Sequence, residues 1–283
     1  MRQKNRRLLM VIVVCGFGSV LANSEMSSLD YSVADKTDRT YDLEYGQKTG
    51  FIACTLKLSI EKSDQDPNRE GDQEDLFDLT FTYADFRCWY EDQSILRTVS
   101  DEIGASGIDE FTFDATIDKF GNLISSNLSE RLKIIEGKGD TQKHFAATRI
   151  APMVACAWVC IIPKLSDIKD GRLVQHDVRD WTPLGRDYVL AGLAGANSGA
   201  RFHVRAGKDR LRELILWWDA TEIMESKEHG SDCDVTYRTQ FEFGYDFEQK
   251  AVTRGSVKWT TMFGDKDADE QPEPVFFKAV LQK

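Results

Sequence analysis

In "FIACTLKLSIEK", residues 51–62, apolar and polar residues alternate from Cys54 onward, with Cys54, Leu56, Leu58 and Ile60 on one face and Thr55, Lys57, Ser59 and Glu61 on the other. Successive side chains on extended backbone point to opposite sides, so this pattern predicts a strand with one buried face. Phe77, Leu79, Phe81 and Tyr83 repeat it. So do Phe111, Phe113, Ala115 and Ile117 in "EFTFDATIDKFGNLISS", where Gly121 and Asn122 supply the turn to a further strand. Between the first two strands, "SDQDPNREGDQED" predicts a solvated hairpin loop, because it lacks the regular oxygen ligands and closing glutamate of a calcium loop.

From residue 127 the period changes. Leu128, Leu132 and Ile135 fit one helical face, and Pro152 suits the start or a kink of a second helix that runs toward Pro163, so 127–170 predicts a helical connector. Strands return in "RDYVLAGL", "ARFHVRAG", "DVTYRTQFEFGYDFEQ" and "VTRGSVKWTTMF". "RLRELILWWDATEIM" fits either a helix or a buried strand, and the strands on both sides favour a strand. Residues 23–40 are polar and aperiodic, a leader with order beginning near Tyr41. Residues 265–283 start as an acidic loop and end in an apolar tail, expected to dock as an edge strand.

Phe111, Phe113 and Ile117 align with Phe241, Phe243 and Phe247, each set followed by a polar turn and another strand. The expected fold is therefore mainly β, a single domain over 41–264 with antiparallel sheets in two related halves, 41–126 and 171–264, forming a sandwich or partly closed barrel. The alternative is that aromatic strands of period two resemble one another by chance.

"MRQKNRRLLMVIVVCGFGSVLANS" places Arg2, Lys4, Arg6 and Arg7 ahead of an apolar run from Leu8 to Ala22, the order of a secretory signal peptide over 1–22. Cleavage is expected after Ala22, with Ser24 the second position; lipid anchoring at Cys15 is the alternative, disfavoured by the branched Val14. Removal takes away four cations and no acids, so the formal charge moves from −11 to −15 over 261 residues. That balance argues against a nucleic-acid partner. No later apolar run reads as long enough to cross a membrane, so a secreted or periplasmic body is expected.

Cys54, Cys88, Cys156, Cys160 and Cys233 remain, an odd number that leaves at least one thiol free within the chain. Cys54 and Cys88 are candidates for a cross-strand disulfide or for two buried thiols. Cys156 and Cys160 stand one helical turn apart, and His229 and Cys233 share that spacing; three sulfurs and one nitrogen would suit zinc. Burial of the apolar "CAWVC", or a disulfide from Cys233 to Cys156 or Cys160, accounts for the same residues. Arg201, His203, Arg205, Lys208, Arg210 and Arg212 form a basic cluster in an acidic chain, either a site for anionic ligands or a solvated face. "GASG" at 104–107 lacks the spacing that exposes a serine nucleophile.

Four stretches, "YDLEYGQKTGF", "FDATIDKFGNLISS", "DWTPLGRDYVL" and "FEFGYDFEQKAVTRGSVKW", resemble an uncharacterised family of exported bacterial β-rich proteins, over a span from Tyr41 to Phe263. The resemblance implies a β-rich exported body and no catalytic residue or ligand. Three functions follow from the residues. The first is a noncatalytic exported protein binding an apolar or amphipathic ligand or a cell-envelope partner. The second is a hydrolase of envelope polymers that uses cleft carboxylates. The third is a zinc- or thiol-dependent protein built on Cys156, Cys160, His229 and Cys233. No cofactor is implied by any motif.

Overall fold

The computed structural model describes residues 30–63, 75–165, 168–169, 172–173, 199–206, 211–226, 233–263 and 271–282. The expected signal peptide lies outside them. The first half builds β1 (Thr37–Gln47), β2 (Gly50–Lys62), β3 (Leu76–Tyr90), β4 (Glu110–Asp118) and β5 (Leu123–Ser126). Helix α1 (Gln93–Ser106) interrupts them; α2 (Leu128–Glu136) and α3 (Asp140–Phe145) follow, then a π turn (Ala146–Ile150) and α4 (Ala151–Ile161). Short strands β6 (Ile168–Lys169) and β7 (Arg172–Leu173) pair with each other. The second half supplies β8 (Gly199–Ala206), β9 (Leu211–Ser226), β10 (Cys233–Asp246) and β11 (Ala251–Phe263), and β12 (Val275–Leu281) ends the chain's regular structure.

Ten strands form one antiparallel sheet in the order β5-β4-β3-β2-β1-β12-β11-β10-β9-β8. The fold is mainly β, as the alternation predicts. The two halves do not face each other as separate sheets; β12 joins them, pairing with β1 on one side (Leu43 opposite Ala279) and β11 on the other (Val257 opposite Phe277). The apolar tail is thus a central strand and not an edge, because its neighbours on both sides present unpaired backbone. Among the described residues the sheet stays open, with β5 and β8 at its edges. "RLRELILWWDATEIM" is strand from Leu211 onward.

Order begins earlier than Tyr41. Tyr31 is fully buried, its backbone N–H donates to Lys119 O (2.8 Å) and its hydroxyl donates to Pro163 O (2.8 Å). Gly121, at φ +84°, fits beneath it: a Cβ there would lie 2.9 Å from both the Tyr31 ring and Pro163 O. A polar leader contributes a core aromatic, which a count of its polar neighbours hides.

Alternation also has a local break. In β3 the inward residues are Phe77, Leu79, Phe81 and Tyr83, then Phe86, Cys88 and Tyr90, so the inward parity switches from odd to even. A bulge opposite Ala53–Thr55 inserts the extra residue, with Asp85 at φ 56°. Bulges re-aim a strand in this way.

The helical connector is the core's other component. All of α4 except Pro152 is buried. A helix resting on a flat sheet buries one stripe only, so burial all round means that the sheet curves about it with the other helices closing the remainder. Asp140–Ile161 is one continuous helix of 22 residues, long and apolar enough to cross a membrane, with 72% of its most apolar window buried in the protein. The expectation that no later run reaches that length is therefore corrected. Asp140, Lys143, His144 and Arg149 disguise the run in sequence, because they stand on the turns ahead of the apolar α4.

Candidate functional site

The inner face of the sheet and α4 enclose the densest chemistry among the described residues. Trp158, fully buried, lies over Phe81 with ring centroids 5.2 Å apart. Met153 Sδ accepts from Cys54 Sγ at 3.1 Å. At the helix's far end, a Cβ on Gly255 of β11 would sit 2.6 Å from Cys160 Cβ and 2.8 Å from Cys160 O. Glycine in that strand lets the helix approach the sheet.

Two donors in this interior lack partners. The Tyr83 hydroxyl and the Trp158 indole Nε1 are buried without a hydrogen bond. Leaving a buried polar group unmade costs roughly 1–3 kcal/mol. Burial also holds the nearby acids neutral: it pushes Cys54 up to about 12, opposed by the Arg87 charge, and drives Cys156 upward, with Cys160 adding to the effect. Tyr83 is raised by burial and then by Cys54 and Cys156. These groups are protonated donors, and none is poised as a nucleophile at neutral pH.

The edge of this interior lies at the π turn, where Arg149 is directed toward α1. Arg149 Nη2 and Glu102 Oε2 approach to 3.7 Å, and Arg149 Nε has no hydrogen-bond acceptor. Tyr45 and Tyr90 feel this charge; burial raises both phenols while Arg149 lowers them. Tyr45 packs on Trp259 at 6.1 Å, so the rim is aromatic with one half-buried cation. A π turn inside a helix often marks a functional position.

The sequence-selected residues are only partly gathered here. Cys156 and Cys160 are buried on α4, and Cys54 faces them from β2. Cys88 lies opposite Ile52, and its Sγ is 3.3 Å from Ser100 Oγ. The bulge places Cys88 diagonally from Cys54, so the cross-strand disulfide does not form; Cys54, Cys88, Cys156 and Cys160 are free thiols. His229 lies outside the described residues, as does the side chain of Cys233, whose backbone opens β10 opposite Ser226. No group of three metal-ligating side chains gathers among the described residues.

Of the basic cluster, Arg201, His203 and Arg205 take alternate positions on β8, the sheet's edge, and Arg212 is on β9; their side chains, and Lys208 and Arg210 entirely, lie outside the described residues. Charged residues on an edge strand hinder pairing with another chain. The buried carboxylate among the described residues is Asp118, whose oxygens accept from Phe120 N, Asn122 N and Asn122 Nδ2. It holds the β4–β5 turn. Tyr83, Trp158 and Arg149 escaped sequence reasoning because aromatic and basic residues carry no motif until packing leaves them unpaired.

No protein-family model matches the chain, and a search of curated proteins gives no match.

Proposed function

We propose that the chain is an exported, noncatalytic β-rich protein that binds an amphipathic ligand carrying an acyl chain between the inner face of its sheet and α4. The observation that carries this reading is the apolar lining of Phe81, Tyr83 and Trp158 between sheet and helix, with Arg149, whose Nε has no acceptor, at its edge. A helix such as α4 and an acyl chain satisfy the same lining, because both present apolar surface to it. The π turn is the hinge on which α4 makes room, and Arg149 at the aromatic rim receives an anionic head. Export rests on the basic start and apolar run of residues 1–22, and the resemblance to exported bacterial β-rich proteins agrees with it.

The test is displacement of a fluorescent fatty acid by oleate on the purified full chain. One saturable site is expected. Arg149→Gln weakens it about tenfold or more, since a hydrogen bond to a charged group contributes roughly 1.5–3 kcal/mol. Absence of saturable binding, or equal affinity in the variant, overturns the reading.

A further inference from the structure

Arg39, 8% exposed, is the buried cation among the described residues. Its Nη2 donates to Gln249 O (2.9 Å) and Lys250 O (3.3 Å), both backbone carbonyls. No described carboxylate lies within ion-pair distance. Asp38 follows the opposite direction of the pleat and is exposed, while Asp30 is taken by Lys250 at 2.8 Å. Buried charges are ordinarily paired, so a guanidinium held by two carbonyls and the Tyr41 hydroxyl, without a carboxylate, calls for a counterion.

A space of about 470 Å³ opens beside it, and the register explains why. β1 begins at Thr37, but its pairing with β12 begins only at Tyr41 opposite Leu281. Gln282 N donates to Thr40 O, and there the strand's cover stops. Residues 37–40 therefore border a notch in the sheet, closed on its far side by the β10–β11 turn at Gln249. Thr40 and Gln249 line it with side chains that hold no hydrogen bond among the described residues, whereas Gln282 Nε2 is committed to Asp42 (3.0 Å).

We propose that this notch is a binding site for a small carboxylate, held by Arg39 with Thr40 and Gln249 as further donors. The charge balance selects the ligand. One cation and one acid, Asp38, line the space, so a monoanion gains the guanidinium without the doubled repulsion that Asp38 imposes on a dianion. The site is polar and separate from the apolar interior, and it stands whether or not that interior binds an acyl chain.

Calorimetric titration of the full chain with acetate and with sulfate tests it. Acetate binds once per chain, and sulfate binds about tenfold more weakly or not at all. Arg39→Gln lowers acetate affinity by about tenfold or more, the loss expected for a hydrogen bond to a charged group. Because Arg39 also clamps the β10–β11 turn, Gln249→Glu serves as the second variant. It places a carboxylate beside Arg39, so acetate binding disappears while the melting temperature holds or rises. No acetate binding in the wild type, sulfate binding tighter than acetate, or acetate binding unchanged in Gln249→Glu overturns the assignment.

Discussion

The strand pairs β3–β4 and β10–β11 carry the same aromatic-x-aromatic phrase and use it differently. In the first, Phe113 stacks on Phe81 with centroids 4.7 Å apart and planes within 2°, and Tyr83 lies near both Phe111 (6.2 Å) and Phe113 (6.3 Å). In the second, Phe241 and Phe243 meet each other at 5.5 Å, and the register places Phe243 opposite Gly255, over which α4 descends. One strand pair closes its side of the core with rings. The other leaves backbone bare for a helix. Period two decides which side chains point inward, and the residue opposite decides what they meet.

Removing the rings should have the largest effect. Phe113→Ala and Phe243→Ala should each cost about 3–5 kcal/mol in denaturant unfolding, as for other buried phenylalanines. Phe113→Ala should exceed Phe243→Ala by about 0.5–1.5 kcal/mol, the usual worth of an aromatic pair beyond burial. Equal losses would mean that the Phe81 stack is worth no more than the Phe241 contact of Phe243. Gly255→Ala comes next, at about 1–3 kcal/mol, the range for overpacking a filled core, because Cys160 leaves no room for a methyl group. Ala115→Gly on the ring-closed side has no helix to relieve, so any gain in stability there would contradict the distinction.

A pH series probes the buried acids beneath both regions. Cys54 titrates ordinarily at 9.0 and here at about 12, and Tyr41 moves from 10.0 to about 12, both through burial. The unfolded chain releases these protons first, so the folded state binds more of them between pH 9.0 and about 12. Stability should be intact below pH 9.0 and fall as pH rises toward about 12, with each group contributing up to roughly 1.4 kcal/mol per pH unit within its window. A flat urea midpoint across that range would mean that these groups are solvated. The smallest effect is expected at the outward neighbours: Thr112→Ala and Glu242→Ala should stay within about 0.5 kcal/mol, as surface changes do.

Much of this architecture was legible from alternation. The inward sets of β2, β4 and β10, the turn at Gly121–Asn122 and the change of period after residue 127 all follow from local rules. Pairing across the chain was not. β1 meets β12 because hydrogen-bonding edges match in space, and nothing local at Val275–Leu281 announces a central strand. Helix α1 was missed although Asp92 caps its start, accepting from Ser94 N and Ile95 N, and Gly107 ends it at φ 58°. Its buried side chains are only Val99 and Ser106, so no apolar stripe announces it. The candidate site was the least legible part. Cys54 and Cys156 stood out as thiols, but the unpaired state of Tyr83 and Trp158 exists only once the sheet closes on α4.

Hydrogen exchange of α4, measured with and without saturating oleate, shows whether the helix yields its place to the acyl chain. Amides of Ala151–Ile161 should exchange slowly in the free protein and lose protection when oleate binds, while β10 and β11 keep theirs. Oleate bound with α4 as protected as before would contradict it.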